Sequence, residues 1–221
     1  MDMCAGNLRE RTAWHVTAAG AREPWPKERD RFVFLSALRH ALRGRGLRCL
    51  GWCLLPDKAR LLVEGREEDG LREALEQAQR EYARYWHGWY PPRRRVFRPA
   101  RAAAAPAALR WDVLADLETE PVRAGLCQEP QEYRWSSAGA HAGWAPSYLP
   151  LDAETWSAAW SITEWRERLA RWSADPGRRL EVERLLKAAQ PLRRRALEMA
   201  PPAAPLFRRP AEAARAAGGW I

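Results

Sequence analysis

The chain has 221 residues and a mass of 25.3 kDa, with 37 basic against 28 acidic residues, a formal charge of +9 and a sequence pI near 10.0. That length fits one domain with an extension, or a domain plus a small second unit, and the charge favours a polyanion as partner. No apolar run approaches the ~20 residues a membrane helix needs, Met1 to Thr12 carries no signal-type segment, and the four cysteines form neither a CxxC pair nor a zinc spacing, so a cytoplasmic protein, with nucleoid association as an option, is expected.

In chain order, the pattern predicts a strand near residues 12–19 and a helix near 28–44, with Phe32, Leu35, Leu38 and Leu42 on one side and Gly44 and Gly46 closing it. Two strands follow, near 47–54 and 58–64, and the Pro56-Asp57 turn between them suggests a hairpin. A helix near 70–87, an Ala-rich stretch and a helix near 106–119 complete a βαββα order. This predicts an α+β fold in which an antiparallel sheet carries helices on one side. Cys49 and Cys53, four apart in an expected strand, should share one face as buried free thiols.

Gly143 to Pro150 reads as a linker, dividing the chain into residues 1–143 and a Trp-rich, mostly helical extension over 144–221. In the extension Trp156, Trp160, Trp165, Leu169 and Trp172 recur at helical spacing, as core residues usually do. Arg193 to Arg195, Arg208 and Arg209 flank a Pro-Ala run and read as an extended basic tail.

Three segments carry a family signal. Gly51-Trp52-Cys53-Leu54-Leu55-Pro56-Asp57-Lys58-Ala59-Arg60-Leu61-Leu62-Val63-Glu64, then Glu120-Pro121-Val122-Arg123-Ala124-Gly125-Leu126, then Tyr133-Arg134-Trp135-Ser136-Ser137 follow one another in order. Weaker support comes from Trp14-His15-Val16-Thr17 and from Asp30-Arg31-Phe32 at the first helix. Together they resemble the REP-associated tyrosine transposases, single-tyrosine members of the HUH endonucleases, over roughly the first two thirds of the chain. The resemblance implies the same α+β fold, a Mg²⁺ or Mn²⁺ site held by two histidines of a His-x-His strand, and a tyrosine nucleophile five residues before the Asn-Pro-Val proline.

At all four positions this chain departs from that pattern. Lys58 and Arg60 stand at the two histidines, Asp116 at the tyrosine and Glu120 at the Asn. Ammonium and guanidinium groups have no free lone pair for a divalent cation and repel it. No metal or other cofactor is therefore expected, and no intact catalytic residue. Asp116 and Glu120 lie on one helical face, so a salt-bridge cluster with Lys58 and Arg60 is one expectation; a solvated acidic stripe of Asp112, Asp116 and Glu120 is the other.

Elsewhere, Tyr82 and Tyr85 read as packing aromatics, and His15, His40, His87 and His141 show no metal-ligand spacing. Arg93, Arg94, Arg95, Arg98 and Arg101, with no acid among them, suit a phosphate-tracking loop, with Phe97, Trp86, Trp89 and Tyr90 as stacking surfaces. The competing reading is a solvated loop whose aromatics join the core. Arg123, Lys58 and Arg60 complete the expected nucleic-acid contacts.

The expected function is a transposase-derived protein without catalysis that recognises hairpin or single-stranded DNA, such as palindromic repeats. Two others stand beside it: a protein-interaction or regulatory role for the old DNA surface, and an active single-strand nuclease with a relocated nucleophile. Monomer and homodimer both stay open, and no membrane partner is expected.

Overall fold

The computed structural model describes residues 11–21, 23–90 and 95–188. Its centre is a four-stranded antiparallel sheet in the order β2-β3-β1-β4, built from β1 (Thr12–Ala19), β2 (Arg48–Leu54), β3 (Lys58–Gly65) and β4 (Arg101–Ala105). Helix α1 (Glu28–Arg43) links β1 to β2, and α2 (Glu68–Trp89) links β3 to β4. After β4 come α3 (Arg110–Arg123), short α4 (Ala138–His141) and α5 (Ala153–Ser157), then α6 (Ile162–Ala174) and α7 (Pro176–Ala188). Among the described residues no helix is long and apolar enough to cross a membrane.

The α+β architecture and the antiparallel sheet match the expectation; the placement of the helices differs from it. Helices α1 and α2 cover one sheet face, where Val16, Ala18, Leu61, Val63, Trp52 and Leu54 meet Phe34, Leu38, Leu71 and Tyr82. The other face carries α3, α6 and α7, packed on Ala13, Leu50, Cys53, Leu62 and Ala105. The cause is visible in β2 and β3, which present apolar residues to both sides, and a sheet with two apolar faces buries both. The Trp-rich segment supplies that second layer: Trp156, Trp165 and Trp172 share a core with Leu114 and Leu117 of α3.

Two local features were not anticipated. Strand β4 lies in the Ala-rich stretch, a composition depleted in strands, and forms because β1 offers a free edge from Ala13 to Thr17. A bulge at Cys49-Leu50-Gly51 shifts the β2 register, so Cys49 joins the α1/α2 core and Cys53 the opposite one. The two thiols are buried and free as expected, but on different faces. Burial raises both, Cys49 to about 12.

The Trp-Ser-Ser segment closes the β2 edge. Leu54 N–H donates to the Trp135 carbonyl at 2.8 Å, Ser137 N–H to the Trp52 carbonyl at 2.9 Å and Asp152 N–H to the Cys49 carbonyl at 2.8 Å. An edge so covered cannot recruit another strand. The Pro-Val-Arg-Ala-Gly segment ends α3: Gly125 adopts φ 67°, and Leu126 N–H returns to the Pro121 carbonyl at 2.9 Å, a helix stop that favours glycine.

Candidate functional site

Along β3, side chains of Lys58, Arg60, Leu62 and Glu64 face α3, because alternate residues of a strand share a side. This face is basic at its start, apolar in the middle and acidic at its end. Helix α3 runs past it in the opposite sense and carries complementary groups: Arg110 at its start, Leu114 and Leu117 in the middle, Asp116 and Glu120 towards its end.

The pairs form along the whole crossing. Arg110 Nη1 lies 2.6 Å from Glu64 Oε1 at one end. At the other, Lys58 Nζ is 2.7 Å from Glu120 Oε1, Arg60 Nη1 is 3.0 Å from Asp116 Oδ2 and also contacts Glu120 Oε2, and Arg123 Nη2 is 2.8 Å from Asp116 Oδ1. The expected salt-bridge cluster is thus present. Asp116 and Glu120 are only 13% and 14% exposed, which removes the solvated-stripe alternative. Asp112 belongs elsewhere: it pairs with Arg168 and, at 2.6 Å, with Arg178, tying α3 to α6 and α7.

His15 completes the cluster. Its Nε2 accepts hydrogen bonds from Arg60 Nε at 3.1 Å and Nη2 at 2.9 Å, so the ring is neutral with its lone pair on the guanidinium. Burial and then the Arg60 charge lower its pKa to about 3. Burial alone would raise Glu120, but Arg60 and Lys58 outweigh it and hold the carboxyl below its usual value. The lack of metal-ligand spacing among the histidines gave no hint of this role for His15; strand parity was the available signal, because Thr17 pairs with both Arg60 and Arg101 and His15 lies one step along the same face. The Arg60 guanidinium therefore sits where an imidazole nitrogen and two carboxylates converge.

Of the expected nucleic-acid contacts, Arg95, Arg98 and Arg101 are exposed, whereas Arg93 and Arg94 lie outside the described residues. Arg98 N–H donates to the Ala19 carbonyl at 2.8 Å, and Arg101 lies opposite Thr17, so these cations flank the strand ends nearest Lys58. Arg60 is 8% exposed and spent on its three partners, so the geometry removes it from the phosphate contacts. Lys58 is 30% exposed but paired, and Arg123 is folded back on Asp116 and on Thr119 Oγ1, at 2.7 Å. The aromatics divide: Phe97 and Trp86 are core, while Trp89 is 48% exposed under the Arg29 guanidinium at 4.4 Å. The basic tail from Arg193 onward lies outside the described residues.

No tyrosine meets this cluster as a replacement nucleophile. Tyr82 and Tyr85 lie on the α1/α2 side of the sheet, with hydroxyls bonded to the Pro24 carbonyl and, at 2.7 Å, to Asp30, and burial raises both. Tyr133 donates to the Leu54 carbonyl at 2.8 Å. Among the described residues no group of three or more His, Cys, Asp or Glu side chains is arranged to hold a metal ion.

A second buried polar knot escaped the sequence reading. Glu118 accepts from Ser137 Oγ, from His141 Nδ1 at 2.6 Å and from Trp165 Nε1 at 2.9 Å, joining α3 to the Ser-Ser motif, α4 and α6. It explains Ser137 as a structural fastener, while Ser136 Oγ bonds locally, to the Tyr133 carbonyl at 3.2 Å.

No family model matches the chain, and no curated protein matches it in sequence. A solved structure described as a REP-associated tyrosine transposase bound to a REP hairpin is similar in fold, with a TM-score of 0.51 at 12% identity, covering 69% of this chain and 96% of that one. At that identity the likeness is one of fold.

Proposed function

We propose that this chain is a transposase-derived DNA-binding protein that holds hairpin or single-stranded DNA and does not cut it. The observation that carries the reading is the Arg60 guanidinium bound by His15, Asp116 and Glu120 at the β3–α3 junction. The related fold in its hairpin complex supports DNA as the partner, as do the +9 charge and the exposed Arg95, Arg98 and Arg101.

The junction does not suit a divalent cation. Lys58 and Arg60 bring positive charge to the place from which lone pairs would have to come, and they already neutralise both acids. Metal-assisted phosphoryl transfer needs a polarising ion and a nucleophile. Neither Asp116 nor Glu120 is free to serve: each carboxylate is fixed between cations. The cluster instead fastens α3 to the sheet and gives the exposed arginines a rigid support, and phosphate contacts by such arginines supply salt-sensitive affinity.

Fluorescence anisotropy with a labelled DNA hairpin tests the reading. Binding that weakens steeply with salt is expected, and Arg98→Glu/Arg101→Glu should weaken it and flatten the salt slope by about 1.8, two duplex contacts. No binding to hairpin or single-stranded DNA at low salt would overturn it in favour of a protein-interaction role, which the internal pairing of Lys58 and Arg60 would also accommodate.

A further inference from the structure

We propose that the outer face of α1 and the aromatic cluster beside it form a second nucleic-acid contact, which takes an unpaired DNA segment with one base stacked on Phe32 and flanking phosphates on Arg39 and Arg43. The inference rests on the DNA-binding reading above. Helix α1 covers the sheet face opposite α3, so this surface is separate from the ion-pair cluster.

Charge is the first observation. From Arg31 to Pro56 the chain has no acidic residue and five arginines. Arg45 and Arg48 are neutralised, by Glu73 at 3.5 Å and Asp152 at 3.2 Å. Arg39 and Arg43 are exposed one turn apart on the same helix face, and among the described residues neither is in an ion pair. With Ser36, His40 and Gly44 they line an open depression, and unneutralised arginines there suit an anion.

The aromatic cluster is the second. Phe32 lies one turn before Ser36 and is 40% exposed, although its ring is packed edge-on against Trp135 at 5.0 Å and Tyr148 at 5.3 Å. Trp135 and Tyr148 stack on each other at 5.6 Å, and the Trp135 backbone is pinned to β2. The Arg134 guanidinium lies 4.8 Å from the Trp135 ring and 5.9 Å from Phe32, held by Glu28 at 2.7 Å and the Tyr148 hydroxyl at 3.0 Å. A half-exposed ring in a pre-ordered aromatic bed, beside cations, is what an unpaired base needs: a stacking surface that loses little freedom on binding, with phosphate partners alongside. A duplex buries its base faces, so the fit is to single-stranded DNA.

Anisotropy with a blunt hairpin and with the same hairpin bearing a single-stranded tail tests this on the full chain. The wild type should bind the tailed form about tenfold more tightly, as expected for stacking plus extra phosphate contacts. Phe32→Ala should abolish most of that increment while leaving blunt-hairpin affinity unchanged. Arg39→Gln/Arg43→Glu, which keeps at residue 39 an amide able to donate to the Tyr148 carbonyl as the Arg39 guanidinium does, should do the same and flatten the salt slope for the tailed form by about 1.4, two single-strand contacts. An unchanged tail increment in both variants, with hairpin binding intact, would overturn the α1 contact alone. Absence of wild-type binding to either DNA would overturn it together with the reading beneath it.

Discussion

Arg60 on β3 and His15 on β1 share a hydrogen-bonded contact in which the imidazole Nε2 accepts from the guanidinium at 2.9 and 3.1 Å, while the same guanidinium binds Asp116 and Glu120 of α3. One side chain thus joins two strands and a helix. Its positive charge is enclosed on the anionic side by two carboxylates and on the other by a neutral ring.

Removing that charge should be costly. Arg60→Met leaves Asp116 and Glu120 buried with only Lys58 and Arg123 as partners, and a broken buried ion pair costs roughly 3–5 kcal/mol. Urea unfolding should show that loss, and Arg60→Met/Glu120→Gln should recover part of it through a coupling of about 0.5–3 kcal/mol. Purely additive losses would mean that the two residues act independently.

Acid should loosen the same junction. His15, lowered to about 3 in the fold from 6.5, is protonated in the unfolded chain at pH values where the folded ring is not. Stability is therefore fully present above pH 6.5 and declines as pH falls towards 3, by up to about 1.4 kcal/mol per unit. Glu120, also lowered, has stability present above 4.5 and lost as pH falls through its folded value, so the two act in the same direction. Thermal melts from pH 8 to 4 should show Tm falling below 6.5. His15→Gln, which keeps an acceptor but does not titrate, should remove the upper part of that fall; a wild-type Tm flat from 7 to 5 would contradict the assignment.

Exchanging the cations for imidazoles should create affinity for metal. Lys58→His/Arg60→His leaves Asp116 and Glu120 short of countercharge beside two neutral ligands, a donor set suited to a divalent ion. Mn²⁺ titration followed by electron paramagnetic resonance should show binding by this variant and none at the junction in the wild type. Equal binding by both proteins would place the ion elsewhere.

Gly51 should tolerate no side chain. A Cβ there would collide with the Leu114 side chain and lie 2.9 Å from Ser137 Oγ, so Gly51→Ala should cost about 1–3 kcal/mol by forcing α3 off β2. Circular dichroism melts measure it, and an unchanged Tm would mean that α3 shifts freely.

How much of this was legible in the sequence depended on range. The β1, β2 and β3 strands and the α1 and α2 helices follow from local periodicity, and the Lys58–Arg60 to Asp116–Glu120 pairing could be anticipated because both halves lie in segments resembling known motifs. The β2 bulge that separates Cys49 from Cys53 could not, because a single inserted residue leaves no trace in hydrophobic alternation. Strand β4 stayed hidden because its alanines carry no strand preference and its partner lies over 80 residues away. The Glu118 knot gathers residues from four separate segments, each unremarkable alone.

The most direct measurement incubates the wild-type protein with an end-labelled DNA hairpin bearing single-stranded flanks, in Mg²⁺ or Mn²⁺, and runs each sample on both native and denaturing gels. The account predicts a shifted complex on the native gel and full-length, protein-free DNA on the denaturing one. Shortened strands, or label migrating as a covalent protein adduct, would contradict it.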